Sequence, residues 1–167
     1  MAYNVNTDLV NGDDLMLYIF TASTEITGAT SLTSANTKVL SFATSCALNI
    51  DGATIDTSNK MSCRWVSNLA GKNSYTVSAD ALYTDAADAY SFDDLLGAMV
   101  AGDAIGWAMA QPAEFTGSCA DNPFSIDNTK VIAYGEGLIT SLSLNAGNNE
   151  VASSSITVTG SGEIHQG

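Results

Sequence analysis

At 167 residues, 46% of them hydrophobic, the chain is long enough to build one domain around a core without disulfides or metals. Area scaling leaves about 7,800 Å² exposed on folding out of about 25,000 Å², so roughly 69% of the surface is buried. Eighteen Asp and Glu against five Lys and Arg give a formal net charge of −13. That balance excludes phosphate-directed DNA binding, which needs clustered cations, and it denies an anionic membrane any polybasic patch. With a mean hydropathy of +0.12 the chain also stands apart from acidic disordered segments.

The three cysteines, Cys46, Cys63 and Cys119, fit neither a disulfide framework nor a zinc ribbon and read as reduced thiols of a cytosolic protein. No basic region precedes the apolar run 15–20, which is too short for a signal or spanning segment, so neither is expected.

In chain order, residues 15–20 form a short apolar run after Asn11-Gly12-Asp13-Asp14, the pattern of a buried strand leaving a turn. Residues 21–37 read as loop. Residues 38–43 and 46–50 are strand candidates, Asp51-Gly52 supplies turn chemistry, and 61–66 is a shorter strand candidate. Tyr75-Thr76-Val77-Ser78-Ala79 alternates apolar with polar side chains, so one face meets a core. The period then changes: Phe92, Leu95, Leu96 and Met99 fall at i, i+3, i+4 and i+7, predicting the one substantial helix. Ser91 and Asp94 make a capping box, Asp93 and Asp94 suit the positive end of the dipole, and Gly102 supplies a stop.

Residues 105–110 predict a strand ended by Pro112, and 116–129 a long loop containing Pro123. Leu138, Thr140, Leu142 and Leu144 alternate along a strand over 131–144, Asn145-Ala146-Gly147-Asn148-Asn149 supplies a hairpin turn, and 155–159 alternates again. The expected fold is mainly β: an antiparallel β sandwich or barrel with one flanking α-helix, in a single domain over 1–167.

Little here is equipped for catalysis. His165, the sole imidazole, lies near the chain end, where order is expected to be poor, and the thiols lack neighbours that lower a thiol pKa. Asp80, Asp85, Asp88, Asp93 and Asp94 are the best metal candidates, but their spacing matches no calcium loop and suits a solvated loop with helix charge compensation. The glycines of Tyr134-Gly135-Glu136-Gly137 lack the following helix and lysine of a phosphate loop and read as strand bulges. Trp65 and Trp107 read as core or interface anchors rather than ligand platforms. No catalytic residue, cofactor or metal is expected; an acidic β domain rich in Ser and Thr fits an assembly subunit whose sheet edges meet neighbouring copies. A calcium- or glycan-binding β module and an acidic hydrolase stay open on these residues alone.

Three segments carry a resemblance. Residues 139–146, Asn149-Glu150-Val151-Ala152 and 156–164 with their Gly160-Ser161-Gly162-Glu163 ending, then 74–83 followed by Phe92-Asp93-Asp94-Leu95, and more weakly 12–17 and 43–60 resemble the major tail tube proteins of long-tailed bacteriophages. Their order along the chain makes the resemblance specific, while the 116–129 loop departs from the family pattern.

The resemblance implies hexameric rings in which strands of neighbouring copies complete an inner barrel, stacked into a hollow tail tube through which genomic DNA passes. It implies other copies, a tape measure protein, a tail terminator and tail-tip proteins as partners, no membrane partner, and a place in the virion tail after assembly in the bacterial cytoplasm. A tube protein of a phage-related contractile injection system is the alternative. Six copies at −13 each bring a ring to −78, so the lumen is expected to be acidic or neutral and to let a polyanion slide. The candidate assembly residues are Asn11, Gly12, Asp13, Asp14, Thr24, Thr30, Lys60, Asn145, Asn149, Glu150, Gly160, Gly162 and Glu163, with 1–14 an N-terminal assembly arm and 21–37 a second segment reaching neighbours.

Overall fold

The computed structural model describes residues 12, 15–22, 26–40, 43–62, 64–83, 90–113 and 125–167. Among them the elements run β1 (Met16–Thr21), β2 (Thr37–Val39), β3 (Ala43–Asp56), β4 (Asn68–Leu82), α1 (Phe92–Ala101), β5 (Ile105–Pro112), β6 (Ile126–Asn145), β7 (Ser153–Gly160) and β8 (His165–Gln166). The strands form one curled antiparallel sheet in the order β2-β1-β5-β6-β7-β4-β3, with β8 paired to β6. This is the mainly β architecture with one flanking helix that the periodicity predicts.

The centre of the sheet is buried on both faces. Leu17 and Ile19 of β1 enter one core while Tyr18 and Phe20 enter a second; in β5, Trp107 and Met109 join the first and Ala108 and Ala110 the second. Burial on two sides is why both segments read as continuous apolar runs instead of alternating ones. Tyr75, Val77, Ala79 and Ala81 of β4, Ile156 and Val158 of β7, and Leu95 of α1 close the first core. Here the tilted rings of Tyr75 and Trp107 lie 5.6 Å apart, and Tyr75 Oη donates to the Glu136 carbonyl at 2.6 Å.

The second core sits beneath residues 26–36, whose Leu32 is fully buried against the sheet. Asn36 braces this segment: its Oδ1 accepts from Thr33 N at 2.7 Å and its Nδ2 donates to Ser31 O at 2.8 Å. The described part of the expected 21–37 reaching segment therefore folds back on its own chain.

α1 begins and ends where the sequence marks it. Ser91 Oγ accepts from Asp94 N at 3.4 Å, Ser91 N donates to Asp94 Oδ2 at 3.1 Å, and Gly102 closes the helix in the left-handed region at φ 74°. Of the predicted stripe only Leu95 is buried; Leu96 and Met99 are 42% and 39% exposed.

Several expectations need correction. Asp51-Gly52 is not a turn: β3 runs through it, Asp51 pairs with Ser74 and Gly52 with Asn73, and a register shift before Thr54 absorbs the irregularity. The described residues of 61–66 are not a strand but part of the hairpin tip between β3 and β4, and Cys63 lies outside the described residues. Of the expected 38–43 strand, β2 takes 38 and 39 and Ala43 opens β3, while residues 41–42 lie outside the described residues. Residues 126–129, expected in a loop, begin β6. Gly135 and Gly137 sit at regular register positions and not in bulges: a β-carbon on Gly135 would come 2.8 Å from Tyr75 Oη. A bulge does occur in β6 between Ile139 and Ser141, and it splits the expected alternating face. Ile139 packs inward and Leu142 lies against the same core, whereas Thr140 Oγ1 turns out to Thr159 Oγ1 at 3.0 Å.

Gly106 lies under the Phe20 ring, which occupies the place a β-carbon would take. Gly106→Val is therefore expected to cost about 1–3 kcal/mol in urea unfolding. Burial pushes the phenols of Tyr18, Tyr75 and Tyr90 above their ordinary value. The unfolded chain loses these protons near pH ~10 while the folded chain keeps them, so their contribution is complete below ~10 and is lost as pH rises further. Urea midpoints are expected to fall above pH ~10, and Tyr18→Phe to flatten that fall.

Candidate functional site

Two surfaces distinguish the molecule. Where β3, β4, β7 and β6 lie side by side, the residues pointing away from the core form three rows across the strands. They are Asn49, Thr76, Thr159, Leu138; Ala47, Ser78, Thr157, Ser141; and Ser45, Asp80, Ser155, Ser143. Strand alternation requires this: Tyr75, Val77 and Ala79 point in, so Thr76, Ser78 and Asp80 point out. Neighbours satisfy one another, with Ser143 Oγ 2.6 Å from Ser155 Oγ and Ser45 Oγ donating to Asp80 Oδ2 at 2.9 Å. Asp80 is the only charge in these rows, and no Lys or Arg stands in them. Lys72 follows the same alternation only beyond Thr76, where β7 has ended.

The second surface is an arm. Past the row of Asn49 and Thr76, β3 and β4 continue as a two-stranded ribbon to Asp56 and Asn68, roughly 20–25 Å at strand rise. Its exposed side chains include Ile55, Met61, Trp65, Val66 and Leu69, with Trp65 84% exposed. The tip is held by its own bonds: Thr57 N to Ser67 O at 2.8 Å, Ser62 N to Asn59 O at 2.9 Å and Trp65 N to Ser62 O at 3.1 Å. Trp107, by contrast, is fully buried, so the two tryptophans divide between core and surface.

The candidate assembly residues are dispersed. Asn11, Asp13, Asp14 and Thr24 lie outside the described residues. Gly12 is exposed and its carbonyl accepts from Leu15 N at 3.2 Å. Thr30 is exposed, and its carbonyl accepts from Asn128 Nδ2 at 3.3 Å. Lys60 stands at the arm tip. Asn145 ends β6, paired with Ser153, and Asn149 and Glu150 belong to the turn that follows, with Asn149 at φ 65°. Gly160, Gly162 and Glu163 lie at the other end of β7; a β-carbon on Gly160 would enter the Tyr75 ring, and Gly162 has φ 93°. Of the exposed arm the sequence marks Lys60 as an assembly residue and Trp65 as a core or interface anchor, but not the ribbon itself, whose signal is the set of apolar residues over 55–69.

His165 is not a loose terminal residue: it pairs with Tyr134 in β8 and stacks on that ring at 5.2 Å. A shallow cleft of about 250 Å³ beside it is lined by Phe20, Tyr134, Glu136 and Glu163. Burial pushes the Cys46 thiol up, the opposite of nucleophile activation; Cys63 and Cys119 lie outside the described residues. Of the acidic candidates, Asp80 bonds Ser45, Asp94 caps α1, Asp93 is exposed, and Asp85 and Asp88 lie outside the described residues. Among the described residues no three metal-ligating side chains come together. None of their helices is long and apolar enough to cross a membrane.

The sequence profile described as phage tail tube protein matches residues 9–166. The chain belongs to the phage tail tube protein family. Sequence comparison with curated proteins gives no match. Solved structures share the fold, among them the following three. One is from the tail of an empty gene transfer agent particle refined with C6 symmetry, at TM-score 0.66, 17% identity, and coverage of 95% of this chain and 99% of that one. Another is the SPP1 tail tube, at TM-score 0.64, 9% identity, and coverage of 95% and 80%. The third is from the six-fold symmetrised baseplate of the anti-feeding prophage, at TM-score 0.51, 10% identity, and coverage of 96% and 97%. The tail tube family is a structural one.

In this tail tube protein the arm, among its described residues, contributes no buried side chain to its own body. Replacing residues 54–70 with an Asn-Gly turn is therefore expected to leave the monomer's Tm within about 3 °C by circular dichroism. A drop beyond about 10 °C would mean that the arm packs on its own chain.

Proposed function

We propose that this chain is the repeating subunit of a virion tail tube: copies close into six-fold rings, the rings stack, and genomic DNA crosses the lumen without specific binding. The family match over residues 9–166 carries the reading. The C6 symmetry of a gene transfer agent tail with the same fold supports the ring order. The whole chain acts as one assembling unit, with residues 1–14 as an N-terminal arm and the two ends of β7, at Asn149-Glu150 and at Gly162-Glu163, as contact points. Its partners are further copies, a tape measure protein, a tail terminator and tail-tip proteins. It is assembled in the host cytoplasm and performs no catalysis. A tube of a phage-related contractile injection system is the second reading, favoured by the fold shared with a chain of the anti-feeding prophage baseplate.

The hydroxyl rows of β3, β4, β7 and β6 are the proposed channel lining, with the outer edge of β3, which pairs with no other strand among the described residues, available to neighbouring copies. Duplex DNA carries one charge per about 1.7 Å, so even a sparse cationic lining would hold it at many points and slow its passage. A carpet of Ser and Thr that bond one another, with Asp80 as its only charge, offers the polyanion no such anchor.

Negative-stain electron microscopy of concentrated protein is expected to show hollow rings or tubes; dispersed monomers even with a tail-tip initiator would overturn the reading. Ser78→Lys with Thr157→Lys places two cations side by side on the proposed lining. Tubes of this variant are expected to retain duplex DNA in a salt-dependent pull-down while wild-type tubes do not. Equal retention would show that this face is not the lumen.

A further inference from the structure

The arm differs in charge from the rest of the molecule. Residues 51–72 hold three of the chain's five cations, Lys60, Arg64 and Lys72, and two of its eighteen acids, a net +1 that leaves −14 for the remainder. None of these three cations makes an ion pair with a described residue; the one such pair joins Lys130 to Asp127 at 3.8 Å. At the tip Lys60 and Arg64 flank Trp65 and Val66, 84% and 70% exposed, while Lys72 stands at the base of the arm beside the Gly52–Asn73 pair.

The complement lies on α1. Asp93, Leu96, Gly97 and Val100 follow one another at i, i+3, i+4 and i+7 on its outer face, and Val100 is 81% exposed. Asp103 lies just past the helix end, so acids bracket the apolar stripe. Beside it, between α1 and the start of β5, opens a cleft of about 340 Å³ lined by Tyr90, Asp93, Asp94, Gly97, Ala98 and Asp103. Apolar helix surface with an acidic cleft thus matches an apolar arm tip with cations, in both chemistry and sign.

Within one chain the two stay apart, because the arm projects beyond the body while α1 packs on it against β6. We propose that the arm tip of one copy docks on α1 of a neighbouring copy. Trp65 and Val66 lie against Leu96, Met99 and Val100, and Arg64 reaches the acidic cleft with Lys60 beside it. A guanidinium suits this cleft better than an ammonium because its planar fork meets carboxylates with paired bonds. The hydrogen-bonded tip is pre-organised, so little ordering cost is left for docking. A contact between two different patches is heterologous, which extends an assembly from copy to copy instead of closing a dimer. This inference rests on the tube reading and names the surface by which copies are joined.

The test is a charge exchange. Lys60→Glu with Arg64→Glu forms the arm variant, and Asp93→Lys with Asp103→Lys the helix variant; Asp94 is left alone because it caps α1. Each variant, folded by circular dichroism, is expected to raise the concentration at which tubes form by at least about tenfold. The chain carrying all four changes is expected to return to within about twofold of wild type. Failure of that rescue would overturn the proposal, as would an arm variant that assembles normally. A second measurement locates the contact: Trp65→p-benzoylphenylalanine, irradiated in assembled protein, is expected to crosslink to residues 90–104 of another copy. A crosslink elsewhere in well-formed tubes would overturn the docking and leave the tube reading standing, whereas a wild-type chain that forms neither rings nor tubes would overturn both.

Discussion

The curl of the sheet turns on the packing of Tyr75 against Trp107. Tyr75 belongs to β4, near one end of the strand order, and Trp107 to β5, near the other, so their contact at 5.6 Å joins the two halves across the first core. The phenol also bonds the Glu136 carbonyl of β6, and Gly135 and Gly160 leave the space that its ring and hydroxyl occupy. Those glycines hold room for one aromatic ring, which is a packing role with no connection to phosphate binding or to bulging.

Curling divides the surface of the sheet. With Tyr75, Val77 and Ala79 committed inward, the opposite faces of β3, β4, β7 and β6 are left uncovered, and their rows carry hydroxyls instead of cations. On the other half, β1 and β5 are covered twice, once by the first core and once by residues 26–36 through Leu32. One half of the sheet is thus fully buried structure and the other presents a polar wall. The arm is the continuation of that wall's two outermost strands.

Charge is partitioned along the same lines. The net −13 is not uniform, because the arm is slightly positive while the helix and its flanks are acidic. A strongly acidic subunit that assembles with its own kind must overcome self-repulsion. In the proposed docking, the cations of one copy's arm meet the acidic, apolar patch of another, which turns part of that repulsion into attraction between unlike surfaces.

The amino-acid sequence by itself determined the elements whose signals are local. The double-sided runs of β1 and β5, the capping box of Ser91 and Asp94 with Gly102 beyond it, and the turn at Asn149 each depend on residues within a few positions of one another. The exclusion of DNA-binding cations follows from composition in the same way. Only the tertiary structure decided what depends on partners distant in the chain. Asp51-Gly52 has turn residues but stays extended because Ser74 and Asn73 pair with it. The alternation of β6 changes parity after Ile139, where Thr140 is an extra residue in the pairing with β7. Leu96 and Met99 carry a core pattern yet remain exposed, because the core beneath α1 is filled by Leu95 and the strands. His165 is held because Tyr134 offers it a ring and a strand edge. Periodicity reports which side chains share a face; which face is covered, and by what, is settled by pairings between segments far apart in the chain.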